Sequence, residues 1–246
     1  MPRKKMRLDK LLVEKGLVSS RQRAQALIME GKVKVNDTRV TKPGTQIDAT
    51  AHLELIGKDI PFVSRGGLKL QHALEHFDIS VKDLVAMDVG ASTGGFTDCL
   101  LQKGAKRVYA IDVGYGQLDW KLRNDPRVIV LERKNIRYLS PDKVPEPVDI
   151  AVIDVSFISL KLVIPVVGRF MAPLGKLVAL IKPQFEVGKG QVGKGGVVRD
   201  PKAHSRVIEE IRLFVKEQNF NVQGVVESPI LGPKGNREFL LYAIRK

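Results

Sequence analysis

From residue 84 onward, short unbroken apolar runs rich in Val and Ile recur along the chain: LVAMDVG, RVYAIDVG, RVIVLER, VDIAVIDVSF and GKLVALIKP. Runs that are apolar at successive rather than alternate positions predict strands buried on both faces of a parallel sheet. Between them, FTDCLLQKG and HSRVIEEIRLFVKEQN carry apolar residues at the helical period. Strands alternating with helices predict an α/β domain. Near the C-terminus, FNVQGVVESPI and EFLLYAIRK flank the turn-forming GPKGNR and predict two further strands, with an antiparallel member among them.

The first sixty residues follow another pattern. Leu8, Leu11 and Leu12 have helical spacing up to a stop at Gly16, and Ser19 or Ser20 can cap a second helix that places Ala24, Leu27 and Ile28 on one face and Arg21 and Arg23 on another. After Gly31 the period changes to alternation, with Val33 and Val35, a turn at Asn36-Asp37, and Val40. Two short helices on a small hairpin are expected. GKDIPFVS, at about residues 57–64, reads as a linker, because Pro61 fixes one dihedral angle and removes a donor. The domains are therefore expected at residues 1–60 and 65–246. No internal repeat or low-complexity segment is found.

Charge adds a partner to this outline. The chain of 246 residues has a formal net charge of +14 and 43% hydrophobic residues, enough for a core beneath a strongly positive surface. Residues 1–66 hold 14 Lys and Arg against 7 Asp and Glu, half of the excess in about a quarter of the length. Such a concentration on a small module favours phosphate contacts over a merely solvated surface. Cys99 is the only cysteine, which excludes an internal disulfide and is expected to be a core thiol. Asp9, Glu14 and Lys15 break the apolar stretch that a secretory signal needs, and no window has the roughly 20 apolar residues of a membrane helix. A cytoplasmic protein with no membrane partner and no obligate protein partner is expected.

RLDKLLVEKGLVSSRQRAQALIMEGKVKVN resembles the S4 RNA-binding domain in its R-L-D-x-L-L opening, its S-R-x-x-A helix and its G-x-V-x-V-N hairpin. The resemblance implies a small α+β module that lays its second helix against structured RNA, with Arg21 and Arg23 at phosphates and Arg3 and Arg7 beside them.

In the larger domain, AMDVGASTGGFTDCLL joins a strand to a glycine-rich turn and a helix, a place where small molecules bind at the carboxyl end of a sheet. A dinucleotide fingerprint would read G-x-G-x-x-G, but Ser92 stands at the middle glycine. The stretch instead resembles the D-x-G-x-x-x-G-G turn of S-adenosylmethionine-dependent methyltransferases. That resemblance implies a cofactor site made of Asp88, Gly90, Ala91, Ser92, Thr93, Gly94, Gly95 and Phe96, with Asp88 near the methionine end, Asp112 on the ribose hydroxyls and Asn135 toward the adenine. A turn without ligand is the bland alternative.

The (Asp/Asn)-Pro-Pro-(Tyr/Phe) turn of many nucleobase amine methyltransferases is absent, for the fourth strand runs IAVIDVSFISL. What the domain offers is Lys69 in SRGGLKL, Asp154 in AVIDVSF, Lys182 in ALIKPQFE and Glu238 in GNREFLL. Together these resemble the Lys-Asp-Lys-Glu tetrad of FtsJ-like ribose 2′-O-methyltransferases, and nearly the whole chain, with KPQFE and GKGGVVRD, resembles the TlyA or haemolysin-A family of ribosomal RNA methyltransferases. The resemblance implies a Rossmann-like seven-stranded α/β fold behind the S4 module, S-adenosylmethionine as cofactor, no metal, and transfer to the 2′-hydroxyl of a cytidine in ribosomal RNA, free or in ribosomal subunits. Lys182 would serve as base or as positioning cation, with Lys69 near enough to favour the neutral form by like-charge repulsion and with two carboxylates opposing that effect. Arg65, Arg133, Arg137 and Lys189 are expected at RNA phosphates. A non-enzymatic ribosome assembly factor and a membrane-damaging haemolysin are the competing readings.

Overall fold

The computed structural model describes residues 5–18, 21–57, 60–188, 190–193 and 195–246, without the side chain of Gln22. The chain divides into two compact units, Met1–Pro61 and Phe62–Lys246.

In the first unit, β1 (Lys5–Arg7) leads into α1 (Leu8–Glu14), followed by α2 (Arg21–Met29), β2 (Val33–Val35), β3 (Thr38–Arg39), β4 (Gln46–Asp48) and β5 (Leu53–Leu55). Leu8, Leu11, Leu12, Ala24, Leu27, Ile28 and Val33 form its core, so the helical and alternating patterns each bury the face they predict. Asn36 and Asp37 take the positive φ values of 46° and 66° that a tight two-residue hairpin turn requires. The hairpin is part of a larger arrangement. β5 adds a third strand to β2 and β3, and β1 pairs antiparallel with β4. At two or three residues each, these strands are too short to carry a legible period. Ser19 and Ser20 lie outside the described residues.

The second unit contains α3 (Gly66–His76), β6 (Val85–Val89), α4 (Gly95–Gln102), β7 (Arg107–Ile111), α5 (Trp120–Arg123), β8 (Val128–Leu131), β9 (Val148–Ile153), α6 (Leu160–Gly168), β10 (Met171–Ile181), α7 (Pro183–Glu186), α8 (Pro201–Glu217), β11 (Phe220–Glu227) and β12 (Phe239–Arg245). Its seven-stranded sheet has the order β11-β12-β10-β9-β6-β7-β8. The strands β8, β7, β6, β9 and β10 run parallel, and β12 lies antiparallel between β10 and β11. Successive residues of β9 enter opposite cores: Ala151 and Ile153 join Val163 and Val167 of α6 and Ile211 of α8, whereas Ile150 and Val152 join Leu70 of α3 and Leu100 of α4. Both faces are covered, which is why these strands read as continuous apolar runs.

The linker ends earlier than expected. Phe62 is buried, and the backbone N–H of Val63 donates to Asp98 at 2.8 Å, so both belong to the second unit. A Cβ on Gly67 would lie 2.3 Å from the Phe62 ring, and the absence of that atom admits the ring against α3. Burial pushes the thiol of Cys99 up to about 12, consistent with a core role. Among the described residues, no helix is long and apolar enough to cross a membrane.

Candidate active site

β6 pairs with β7 on one side and β9 on the other, and the carboxyl ends of these neighbouring parallel strands bound the crevice that such a reversal of chain order opens. The turn leaving β6 is laced to both neighbours. Gly90 donates to the Ile111 carbonyl at 2.9 Å, and Asp154 donates its N–H to the Val89 carbonyl at 2.9 Å. Gly90 has φ of 88°, and a Cβ on it would lie 2.5 Å from the Asp154 carbonyl oxygen. Only glycine lets the two backbones approach this closely. Ser92, also at positive φ, donates its N–H to Asp112 Oδ2 at 2.7 Å, while Gly114 donates to Oδ1 at 2.7 Å. Asp112 thus orders the turn after β6 and the loop after β7 together.

Two cavities flank this turn. The wider, of about 970 Å³, is lined by Asp112, Gln117, Asn135, Ile136, Phe157 and Phe185 among others. The narrower, of about 460 Å³, is lined by Arg65, Lys69, Ala91, Gly95, Phe96 and Lys182 among others. Gly90, Ser92, Asp154 and Ser156 line both. A ligand in one cavity therefore meets a ligand in the other at these four residues.

The four tetrad residues form two ion pairs. Lys182 Nζ lies 2.5 Å from Asp154 Oδ1 and donates to Ser156 Oγ at 2.9 Å. Lys69 Nζ donates to Glu238 Oε2 at 2.6 Å. Lys182, Lys69 and Glu238 are all buried, and Glu238 Oε1 has no hydrogen-bond partner. Because each ammonium has its own carboxylate, repulsion between the lysines does not dominate the arrangement. Ser156 was not among the expected site residues; it is a common residue type in the quoted IAVIDVSFISL. The same loop exposes Phe157, 91% accessible with φ of 63° and its ring 5.0 Å from that of Phe185. A planar ligand can stack on such a ring.

At the end of α7, the half-buried Glu186 accepts from Ser159 Oγ at 2.6 Å and from Leu160 N at 2.8 Å. That pair of bonds ties the segment after Lys182 to the start of α6. Burial raises the Glu186 carboxyl above its ordinary value.

Asp88 lies apart from the cavity walls. It is 0% exposed, lines neither cavity, accepts from Thr97 Oγ1 at 2.7 Å, and leaves Oδ1 without a partner. Burial pushes its carboxyl from 3.8 up to about 7, against the Thr97 bond. Between those values the folded chain holds a proton that the unfolded chain has released, so stability is full below 3.8 and falls as pH rises toward 7. Asp88→Asn is expected to flatten this fall and to be more stable than the parent at pH 8 by ~1 to 4 kcal/mol. Thermal unfolding at pH 5 and pH 8 checks it; an unchanged pH dependence would sink the assignment. Thr93 and Gly94 also lie outside both cavity walls and contribute backbone to the turn. Asn135 caps a short 3₁₀ turn, its Oδ1 accepting from Arg137 N at 3.1 Å.

Of the expected RNA contacts in this unit, Arg65, Arg133 and Arg137 are exposed. Arg133 stacks on the Tyr115 ring at 4.1 Å and Arg137 on Tyr138 at 5.2 Å. Arg65 donates to the Leu231 carbonyl at 3.2 Å. In the first unit, Arg7 and Arg21 both pair with Asp9, and Arg23 is half-buried. Arg3 and Lys189 lie outside the described residues.

Residues 62–245 match the model of the FtsJ-like methyltransferase family, and residues 6–53 match that of the S4 domain. The 16S/23S rRNA (cytidine-2′-O)-methyltransferase TlyA of Mycobacterium tuberculosis is 48% identical over 97% of this chain and 90% of its own. A Bacillus subtilis protein, YqxC, provisionally called an rRNA methyltransferase, is 51% identical over 98% of this chain and 86% of its own. The solved structure of a Streptococcus thermophilus protein provisionally called a hemolysin superposes with a TM-score of 0.79 at 46% identity, covering 99% of this chain and 90% of that one.

Proposed function

The chain belongs to the FtsJ-like methyltransferase family, with an S4 domain ahead of the catalytic one, and we propose that it methylates the 2′-hydroxyl of a cytidine ribose in ribosomal RNA, using S-adenosylmethionine. The observation that carries this reading is the shared wall of the two cavities, where Asp154 and Ser156 bring Lys182 to the border between a wide site and a narrow one.

The wide cavity fits S-adenosylmethionine. Its floor is the Gly90 backbone, held where a Cβ would collide with Asp154. Asp112 would hold the ribose hydroxyls, Asn135 and Ile136 the adenine, and Gly90 and Ser92 the methionine end, while Ala91, Gly95 and Phe96, expected at the cofactor, line the narrow cavity instead. The unpartnered Asp88 Oδ1 offers negative charge beneath that end once it ionises. When bound, S-adenosylmethionine supplies an electrophilic methyl on a sulfonium. All else falls to the chain. Lys182, fixed by Asp154 and Ser156, donates to the incoming hydroxyl and orients its oxygen, the role of a positioning cation. The hydroxyl proton becomes strongly acidic only as its oxygen gains the methyl, so the nearby Asp154 carboxylate suffices to accept it. Glu238 holds the Lys69 ammonium at the wall of the narrow cavity, where it can donate to a ribose or its flanking phosphate although the pair itself has no net charge.

Tritiated methyl transfer to naked ribosomal RNA and to unmodified subunits, followed by nucleoside analysis, tests the reading. 2′-O-methylcytidine is the expected product. A methylated base would overturn the assigned atom, and absent transfer with both ligands bound would favour an assembly factor. An rRNA substrate is the reason for assigning the protein to the cytoplasm in this reading.

Arg133 and Arg137, each braced on an exposed tyrosine, are assigned to RNA phosphates. Replacing both with alanine is expected to lower the slope of log affinity against log salt by about 1.4 to 1.8, the contribution of two phosphate contacts. An unchanged slope would remove them from the interface.

A further inference from the structure

The first unit buries an acid where its charge works against its partner. Asp9, in the first turn of α1, is 0% exposed in a module with a strong excess of Lys and Arg. Its Oδ1 accepts from Arg7 Nε at 3.0 Å. Its Oδ2 accepts from Arg7 Nη2 at 2.8 Å, Arg21 Nε at 3.0 Å and Gln25 Nε2 at 2.9 Å. Four donors on one carboxylate hold it ionised, with the Arg7 bond chief among the causes that keep it well below the usual carboxylate range despite burial.

The donors come from separate elements. Arg7 ends β1, whose pairing with β4 fixes its direction, and its guanidinium lies over the turn at Gly44. Arg21 and Gln25 sit one helical turn apart on α2, at the edge of the face that buries Ala24, Leu27 and Ile28. The two arginine side chains keep 38% and 50% of their exposure, so each guanidinium is anchored from beneath and still reaches water.

We propose that Asp9 is a positioning residue for RNA: it locks Arg7 and Arg21 into one clamp for the phosphodiester backbone. The proposal rests on the reading that this unit binds RNA. A free arginine loses rotamer freedom when it settles on a phosphate, whereas these two have already lost it to Asp9. A guanidinium has five N–H donors, and Asp9 takes two from Arg7 and one from Arg21.

The sign of one substitution separates this from simple attraction. Asp9→Asn raises the net charge by one, so long-range attraction alone predicts tighter RNA binding. The clamp predicts weaker binding, by about tenfold, and a shallower salt slope as phosphate contacts are lost. The experiment is filter binding of the full chain to unmethylated 16S and 23S rRNA across a salt series, for Asp9→Asn, Arg7→Ala and the double variant, with thermal melting of each. Because damage to the fold would also weaken binding, the decisive reading is the coupling. Arg7→Ala should cost about tenfold in the parent and less than threefold in the Asp9→Asn background. Equal or tighter binding by Asp9→Asn, or additive losses, would overturn the positioning role. If Arg7→Ala combined with Arg21→Ala leaves affinity unchanged, the RNA reading of this unit itself fails.

Discussion

Lys182→Ala is expected to lower single-turnover methyl transfer by about a thousandfold while leaving cofactor and RNA affinity within about threefold. Lys182 is 7% exposed, and Asp154 at 2.5 Å and Ser156 at 2.9 Å fix its ammonium at the border of the two cavities. Lys182 holds the oxygen in line with the methyl carbon, a placement that the chemical step needs and binding does not, so its loss falls on the rate and not on binding. Lys182→Arg should recover little, because a planar fork cannot replace a compact ammonium between those two oxygens. Lys69 is a poorer probe of chemistry. Removing it would leave Glu238, 1% exposed, without its cation, so any loss of rate would be confounded by loss of fold. A Lys182→Ala rate within a few fold of the parent would end its assignment and shift attention to Asp154 alone.

The inner strands of the large sheet, β6, β7, β9 and the second half of β10, could be read in sequence because burial on both sides leaves an unbroken apolar run, whereas the edge strand β11 is mostly half-buried or exposed and alternates with polar residues. β12 carries the same signal in FLLYAIR, yet nothing in that run says that it inserts between β10 and β11. Strand order is a property of pairing between distant segments. The site divides in the same way. Lys182 and Asp154 stand out at the ends of apolar strands, and their pairing follows from β9 and β10 being neighbours. Glu238 could be singled out only through the family tetrad, since nothing local distinguishes a carboxylate that is buried by α3 from one in water. Ser156, Phe157 and Glu186 carry no local signal, for their roles arise from contacts made 26 or 27 residues away in the chain, or from exposure. Asp88 shows the converse: the motif marks it as important, but the structure sets it below the turn, bonded to Thr97 rather than facing the cavity.

The second large effect is expected at Gly90, where backbone and not side-chain chemistry is under test. Gly90→Ala should destabilise the fold by ~2 to 4 kcal/mol and cut methyl transfer by at least about a hundredfold. Two costs combine. A residue with a Cβ is strained at φ of 88°, and the new atom would lie 2.5 Å from the Asp154 carbonyl oxygen and 2.9 Å from its carbon. Neither neighbour can yield independently, because Asp154 N is bonded to Val89 O and Gly90 N to Ile111 O. Relief of the clash must therefore shift the residue that pairs with Lys182 or open the turn that borders both cavities. Gly116→Ala separates the two costs: its φ of 68° is similarly unfavourable, but a Cβ there meets nothing within 4 Å. That control should lose about 1 kcal/mol and keep nearly full activity. Thermal unfolding and single-turnover rates for the pair decide the matter. Equal losses in both variants would mean that conformational strain alone matters, and that the close approach of Gly90 to Asp154 has no part in building the site.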